Sequence, residues 1–487
     1  METPLKLVHL NLALLVAAGI GGLGCSHRPA CSTTLHVIVS AGPTSRDPLM
    51  TFDRASLLVF GNVMQTVMAD PTGQWSSSGV VERWTNPDPS TWVLYLRKGL
   101  RFHDGKPLTA QDVAASILRV RSEERSPLHG FVQNVASVVV EDSDRLRLVI
   151  NGPANVLWRL ASIPVTPGGA PVPPDGLPVG SGPYRVTEWR GNRIRMERTA
   201  SGTIPPSVPQ RVDIAIIPNA EGQLRAARAL RPVIVVGAHQ ELLDEAGRSG
   251  LSPMEVETKG ALYLVCNVRS GRPLASLEAR RALAAACYGK IPSPPGGHWH
   301  LADDIIPRRV FGHVDGRFAI DSKWAVPAAV PKSRLRLVAV GNLASLAKAV
   351  AECLERGGWR VELVSMSPRE AFRALQAGQF DLSVVGYDCT SGSALELLTL
   401  AFSRNGGTVN LSGYRNPRLD ALVEEASLSF DPAAQRELLV EGGDIVVKDL
   451  PWIPLYQVKL IYLTSREVHL TSEAALGIDF SRVRIGP

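Results

Sequence analysis

The stretch Ser90–Ser116, STWVLYLRKGLRFHDGKPLTAQDVAAS, is the most informative part of the sequence about the fold. Residues 92–97 alternate between two sets of side chains, which predicts a strand with two distinct faces. Asp104 and Gly105 predict a turn, because glycine tolerates a positive φ and aspartate bonds to nearby backbone. Residues 109–112, TAQD, predict a helix start, where threonine caps free amides and aspartate favours the positive end of the dipole.

Three further motifs follow this stretch in order along the chain. Gly180–Val186, GSGPYRV, predicts a constrained turn that leads into a strand. Leu262–Asn267 is apolar and predicts a strand, and a helix-forming segment, Leu277–Leu283, comes after it. Near the end of the chain lies Pro451–Tyr456, PWIPLY.

Taken together, these four motifs resemble those of the bacterial extracellular solute-binding proteins of family 5, the peptide/nickel group that serves ABC importers. The resemblance covers the mature chain almost end to end. It implies an α/β fold of the two-lobed periplasmic-binding-protein type, type II-like, with mixed or parallel sheets flanked by helices. It also implies that the chain crosses between the lobes twice, near Lys259 and Pro454, and that the lobes close on a ligand by hinge motion.

The resemblance implies a division of the mature chain in which each lobe combines separate segments. We predict that residues 34–55, 178–258 and 455–487 form lobe I. Residues 56–177 are expected to form an extra subdomain of lobe I that carries the Ser90–Ser116 motif. Residues 259–454 are then expected to form lobe II.

The clearest α/β unit is predicted between residues 335 and 386. Residues 335–340, 359–364 and 380–385 are expected to be strands, with amphipathic helices between them. The second helix begins with Ser367-Pro368-Arg369-Glu370, which has the composition of a capping box with proline at the first helical position. Strands that alternate with helices favour a mostly parallel sheet.

The N-terminus predicts export and membrane anchoring. Lys6 precedes the apolar stretch Leu10–Leu23, which suits a signal peptide and is short of the ~18 residues of a spanning helix. Cys25 follows as at a lipoprotein cleavage site. We therefore predict a signal peptide at residues 1–24 and a spacer at residues 25–33, lipid-anchored through Cys25. The predicted location is the cell envelope, in the periplasm or on the outer face of the cytoplasmic membrane.

The ligand site is predicted where the third strand of the α/β unit ends, since open α/β sheets bind ligands beyond the carboxyl ends of their strands. Tyr387 offers an aromatic wall and a hydroxyl, and Asp388 could pair with a cationic group or act only as a turn residue. In the family's peptide binders, an aspartate three residues after the aromatic holds the peptide's α-ammonium, and that position is Thr390 here. Tyr387, Asp388 and Thr390 are therefore the candidate ligand-binding residues. A peptide is the default ligand, while nickel chelates, sugars and other small polar solutes stay open.

Composition and motif content exclude several other classes of protein. The 487 residues carry a formal net charge of +6 with both signs mixed, instead of the basic patch of a nucleic-acid-binding protein. The sequence lacks GxSxG, HExxH and P-loop motifs, so we predict no catalytic residues and no cofactor. A disulfide between Cys266 and Cys287 is conceivable in an exported protein, and the alternative is that both are buried apolar residues.

The segment that contains His298, His300, Asp303 and Asp304 has the residue types of a metal site. These residue types are metal ligands, but an exposed loop rich in proline and glycine explains them equally, and no metal site is predicted. His103, inside the Ser90–Ser116 motif, is predicted to have a structural role.

The predicted function is the capture of a solute for an ABC importer, with permease subunits as partners and the protein a monomer. The alternative is a non-transport envelope sensor or scaffold, motivated by the shortened segment after Tyr288 and the altered loop after Tyr387. A pocket packed shut by side chains would favour that alternative. A hydrolase would need a serine, a histidine and an acid to meet in the cleft.

Overall fold

The computed structural model describes most of the chain. The predicted signal peptide, Cys25 and Thr390 lie outside the described residues. Across the described part of the chain, no helix combines the length and the apolar character needed to cross a bilayer. The described residues are 33–51, 53–69, 79–151, 157–199, 205–238, 240–293, 298–324, 333–340, 343–389, 391–404, 409–429, 431–470 and 478–486.

Strands and helices alternate along much of the chain. The strands are β1 (Thr34–Val39), β2 (Val81–Asp88), β3 (Thr91–Leu96), β4 (Val135–Asp142), β5 (Arg145–Ile150), β6 (Tyr184–Arg190), β7 (Arg193–Arg198), β8 (Arg211–Ile216), β9 (Val233–Val236), β10 (Leu251–Cys266), β11 (His298–Leu301), β12 (Leu335–Val340), β13 (Val361–Met366), β14 (Leu382–Asp388), β15 (Trp452–Ser465), β16 (Val468–His469) and β17 (Arg484–Ile485). The helices are α1 (Arg54–Val63), α2 (Ala110–Ser122), α3 (His129–Val132), α4 (Leu157–Leu160), α5 (Ala220–Ala229), α6 (Gln240–Ala246), α7 (Leu277–Cys287), α8 (Ala344–Arg356), α9 (Pro368–Gln376), α10 (Ala394–Leu397), α11 (Pro417–Leu428) and α12 (Pro432–Asp449).

One 11-stranded sheet runs through the molecule in the order β13-β12-β14-β10-β15-β9-β1-β8-β7-β6, and β11 pairs with β15 off this row. Parallel pairs join β1 to β8 and β9, and β12 to β13 and β14, while the remaining pairs of this sheet are antiparallel. The mixed α/β fold predicted from the sequence is thus confirmed. We call the β9-to-β6 side lobe I and the β13-to-β14 side lobe II.

Strands β10 and β15 belong to both lobes. They pair with each other along nearly their whole length, from Leu251 opposite Ser465 to Val265 opposite Trp452. The C-terminal end of β15 pairs with β9 of lobe I. The C-terminal half of β10 pairs with β14 of lobe II. The predicted crossing residue Lys259 lies on β10, and the predicted lobe boundaries remain predictions.

The register of these two strands shifts between Glu257 and Ala261, where the sheet passes from one lobe to the other. Gln457 of β15 is buried at this point, and its amide Nε2 donates hydrogen bonds to Thr258 O (2.8 Å) and Gly260 O (3.1 Å). Two carbonyls in the irregular part of the ladder therefore accept hydrogen bonds from a buried side chain.

The Ser90–Ser116 motif forms β3, the following turn and α2. Trp92 and Leu94 are buried side chains of β3, which belongs to the four-stranded sheet β2-β3-β5-β4. Gly105 has a φ of +85° at the turn. At the start of α2 the Asp112 carboxylate accepts hydrogen bonds from Thr109 N (2.8 Å) and Thr109 Oγ1 (2.9 Å). The predicted order of strand, turn and capped helix is confirmed.

His103 joins this motif to the GSGPYRV motif. Gly180 N donates to His103 Nδ1 (3.3 Å), and His103 Nε2 bonds to Gly182 O (2.9 Å). An acceptor at Nδ1 and a donor at Nε2 describe the neutral imidazole. Burial lowers the pKa of His103 and so favours that neutral form. The predicted structural role of His103 is confirmed.

Replacing Gly180 by alanine is expected to lower the free energy of unfolding by about 1–3 kcal/mol. A Cβ at this position would lie 1.9 Å from Val63 O, a backbone atom at the end of α1 that cannot move without shifting the helix. Urea denaturation followed by circular dichroism measures the change. Gly61→Ala on α1 is the control, because a Cβ there meets nothing within 4 Å. Equal losses in the two variants would contradict the steric explanation.

The α/β unit of lobe II agrees with its prediction in number and order of elements. Strands β12, β13 and β14 pair in parallel, with α8 and α9 as the connecting helices. The capping box is present: Ser367 Oγ donates to Glu370 Oε2 (2.6 Å), and Glu370 N donates back to Ser367 Oγ (3.4 Å). Strand β13 begins at Val361 and β14 at Leu382, each two residues later than expected.

The conceivable disulfide between Cys266 and Cys287 is not formed. Both cysteines are free and completely buried, as are the described Cys353 and Cys389 to within a few per cent. Burial raises the pKa of the Cys266 thiol to about 12, so it stays protonated and unreactive. These cysteines are apolar core residues, which was the alternative interpretation of the sequence.

Candidate ligand-binding site

A cavity of about 570 Å³ opens at the carboxyl ends of β12 and β14. This volume is within the range of sites that bind small molecules, about 300–1,000 Å³. Lobe II and the two shared strands supply most of the walls, and Arg54 of α1 reaches the cavity from lobe I. Aromatic side chains in the lining are those of Trp299, Phe372, Tyr387 and Trp452. The cavity lies where the strand-end rule predicts a ligand site from the sequence.

Asp388 carries a negative charge into the cavity. It is the last residue of β14 and pairs with Gly260 of β10, so it belongs to the sheet and is not a turn residue. A Cβ at Gly260 would lie 1.9 Å from Asp388 Oδ1, so only glycine leaves room for the carboxylate. The side chain is exposed towards the cavity, while the surrounding protein removes enough water to raise its pKa.

Arg54 provides an opposite charge from lobe I. It is the first residue of α1, whose N-cap, Asp53, accepts a hydrogen bond from Ser56 N (2.9 Å). The positive charge of Arg54 acts on Asp388 across the cavity and lowers the pKa of that carboxyl, against the larger effect of burial. The helix therefore holds Arg54 at a fixed place opposite the strand end that carries Asp388.

Tyr387 forms part of the aromatic wall. Its ring lies 6.3 Å from that of Trp452 in an edge-to-face arrangement. The Tyr387 hydroxyl donates to Glu396 Oε1 (3.1 Å), and Ser391 N donates to Glu396 Oε2 (2.6 Å). Burial raises the pKa of Tyr387, and the negative charge of Glu396 raises it further, so the hydroxyl stays protonated. Glu396 thus fixes the ring in place.

A positive charge lies near the carboxylate that bonds to Tyr387. Arg159 of α4 is within electrostatic reach of Glu396 and Tyr387, and both raise its pKa against the larger lowering effect of burial. Arg159 therefore partly balances the negative charge of Glu396 behind the aromatic wall.

The structure describes two of the three ligand-binding residues predicted from the sequence. Tyr387 and Asp388 both line the cavity, and Thr390 lies outside the described residues. Arg54, Arg159, Glu396 and Phe372 were not identified from the sequence. For Phe372 the helical spacing predicts a core residue beside Ala371 and Leu375, so its exposure at the cavity could not be recognised from the sequence.

The segment with metal-ligand residue types forms a strand and makes hydrogen bonds and ion pairs with other parts of the protein. Residues 298–301 form β11, which places Trp299 in the cavity. Asp304 accepts a hydrogen bond from Val314 N (2.9 Å) and lies beside Arg317. In the described part of the chain, Asp303 clusters with His313 and Asp315 within 4.8 Å.

Arg308 occupies that cluster. Its guanidinium forms ion pairs with both Asp303 and Asp315, so the two carboxylates that a metal would need are already neutralised. The interactions of these residues are those of a charged surface loop.

The sequence matches a protein family over the region that contains the first three motifs. The family model described as "Bacterial extracellular solute-binding proteins, family 5 Middle" matches residues 77–287. A curated relative, the glutathione-binding protein GsiB of Escherichia coli (strain K12), is 22% identical over 93% of this chain and 94% of the relative. The predicted resemblance to the family 5 solute-binding proteins is thus confirmed over residues 77–287. Its four motifs have the order that the resemblance implied.

Solved structures agree with the fold of a family 5 solute-binding protein. HbpA2 from Haemophilus parasuis superposes with a TM-score of 0.75 at 17% identity, covering 93% of this chain and 100% of that one. The oligopeptide-binding protein AppA from Bacillus subtilis, in complex with a nonapeptide, gives a TM-score of 0.68 at 16% identity, covering 94% and 100%. The two-lobed periplasmic-binding-protein fold is therefore confirmed.

Proposed function

We propose that this family 5 solute-binding protein is the extracytoplasmic binding component of an ABC importer, and that it captures a short peptide between its lobes. The observation that carries the proposal is the pair of opposite charges on the two sides of one cavity, Asp388 from lobe II and Arg54 from lobe I. A short peptide is a zwitterion, so its two ends match these charges. The relative GsiB is named a glutathione-binding protein, and glutathione is a tripeptide.

The residues take distinct roles in this proposal. The Asp388 carboxylate receives the α-ammonium of the peptide, in place of the aspartate that the family's peptide binders carry at the position of Thr390. Arg54 receives the carboxylate, and Tyr387 forms the wall beside the peptide backbone. Thr390 remains a candidate for a further contact. Closure by hinge motion at β10 and β15 would then enclose the peptide.

The remaining sequence predictions belong to the same proposal. The protein is expected to act as a monomer, anchored to the cell envelope by lipid on Cys25, and to deliver its ligand to permease subunits. It is expected to have no catalytic role, as is typical of its family and its curated relatives, which are solute-binding proteins.

Native mass spectrometry of the purified, untagged mature protein tests the proposal. A family of retained peptides, identified after denaturation, is the expected result. A thermal-shift screen of the ligand-free protein should then show stabilisation by short peptides, because a ligand that binds only the folded state raises its stability. Stabilisation by sugars or nickel chelates and not by peptides would contradict peptide capture.

The sensor or scaffold alternative has less support. It would be favoured by a pocket filled with side chains, whereas an open cavity of about 570 Å³ lies at the predicted position. The altered loop after Tyr387 does not remove the carboxylate from the site, since Asp388 is presented to the cavity from the strand itself.

A further inference from the structure

The capture of the charged ends of a peptide leaves one feature of the cavity unused, an exposed aromatic side chain on α9. Phe372 is 47% exposed and lines the cavity. Ala371 and Leu375 of the same helix are buried in the core. Phe372 therefore lies at the edge of the apolar face of α9, where its side chain borders the cavity. Aromatic and other apolar side chains are the usual lining of sites that bind small molecules.

The walls around Phe372 have the same apolar character. Trp299, Leu343 and Leu411 come from three different segments and line the same cavity. Among the described residues, the lining contains two charged side chains, Asp388 and Arg54. Their charges are opposite and cancel. A ligand that fits this lining has one positive end, one negative end and an apolar body.

We infer that the cavity selects short peptides without net charge that carry a bulky apolar side chain, and that Phe372 contacts this side chain. The inference rests on the proposed function, because Asp388 and Arg54 must hold the peptide ends for the side chain to reach the apolar wall. Burial of an apolar side chain against Phe372 removes both surfaces from water. An additional carboxylate on the ligand, as in glutathione, would enter apolar surroundings without a matching charge, which is unfavourable.

Isothermal titration calorimetry of the ligand-free mature protein with the peptides Ala-Phe, Ala-Ala, Ala-Glu and glutathione tests this selectivity. Ala-Phe is expected to bind at least about tenfold more tightly than Ala-Ala, given the gain from burying a phenyl ring. Ala-Glu and glutathione are expected to bind more weakly than Ala-Ala. In Phe372→Ala, the affinity for Ala-Phe should fall about tenfold while that for Ala-Ala stays unchanged.

Leu428→Ala is the matched control, since Leu428 is 39% exposed at the end of α11 and does not line the cavity. This variant should bind both dipeptides as the parent protein does. Equal affinities for Ala-Phe and Ala-Ala, or an equal loss of both in Phe372→Ala, would overturn the selectivity while peptide capture still stands. Failure of all four peptides to bind would overturn the proposed function and the selectivity together.

Discussion

Asp388→Asn is expected to weaken the binding of Ala-Phe about 100-fold, which corresponds to about 3 kcal/mol. The substitution keeps the shape of the side chain and removes the charge that holds the α-ammonium of the peptide. The loss is large because the carboxylate lies in a partly desolvated cavity, where charge-assisted hydrogen bonds are stronger than in water. Isothermal titration calorimetry at pH 7 measures the effect.

The same variant is expected to fold at least as stably as the parent protein without ligand. Burial raises the pKa of Asp388 in the folded state, so ionisation of this carboxyl opposes folding at any pH above that raised pKa. Asparagine removes this unfavourable contribution. Asp175→Asn, at an exposed turn outside the cavity, is the control and should change neither affinity nor stability. Equal losses of affinity in the two variants would contradict a role of Asp388 in peptide binding.

The pH dependence of binding follows from the same raised pKa. Only the ionised carboxylate holds an ammonium group, so the affinity of the parent protein should fall as pH decreases through the pKa of Asp388. This decrease should begin at a higher pH than for a carboxyl of ordinary pKa. Asp388→Asn should not show it, because the variant has no carboxyl at this position to titrate.

Trp452→Ala is expected to lower the free energy of unfolding by about 3–5 kcal/mol. Trp452 is 1% exposed, and its ring packs against those of Tyr263 (5.2 Å), Phe402 (5.1 Å) and Tyr387 (6.3 Å between centroids). Its removal opens a void beneath the aromatic wall that the neighbouring rings cannot fill. Guanidinium denaturation followed by circular dichroism measures the loss.

Trp452→Phe separates packing from hydrogen bonding at this position. Within the described residues the buried indole Nε1 of Trp452 has no hydrogen-bond partner, so phenylalanine loses volume and no hydrogen bond. It should be clearly more stable than Trp452→Ala and keep most of the peptide affinity. Trp324→Ala, at a half-buried tryptophan outside the cavity, should cost much less. A loss below about 1 kcal/mol in Trp452→Ala would contradict the packing account.

Much of the fold could be predicted because its signals are local in sequence. The strand, turn and helix of Ser90–Ser116 and the α/β unit of lobe II follow from periodicity, caps and glycine positions, which act within a few residues. The prediction was wrong for the bounds of two strands, because periodicity does not fix where hydrogen-bonded pairing begins. Strand β13 begins at Val361 and β14 at Leu382, each two residues later than the alternation of the sequence indicates.

The site was predicted in part for a similar reason. Tyr387 and Asp388 are the last two residues of a recognisable strand, so the rule for carboxyl ends of strands identifies them. Arg54 reaches the cavity only through the tertiary fold, and nothing in its neighbouring sequence distinguishes it from a surface arginine. Glu396 could not be identified either, because its role is to accept hydrogen bonds from Tyr387 and the backbone of Ser391.

Strands β10 and β15 have a consequence for how the cleft opens. Each lobe completes its part of the sheet with strands that the other lobe also uses, so neither lobe is a separable fragment of the chain. The lobes are therefore joined by a continuous hydrogen-bonded ladder, and their relative rotation must bend that ladder. Gln457 bonds to the ladder at its irregular point. A rotation of one lobe against the other would accordingly strain the two hydrogen bonds of this single amide side chain.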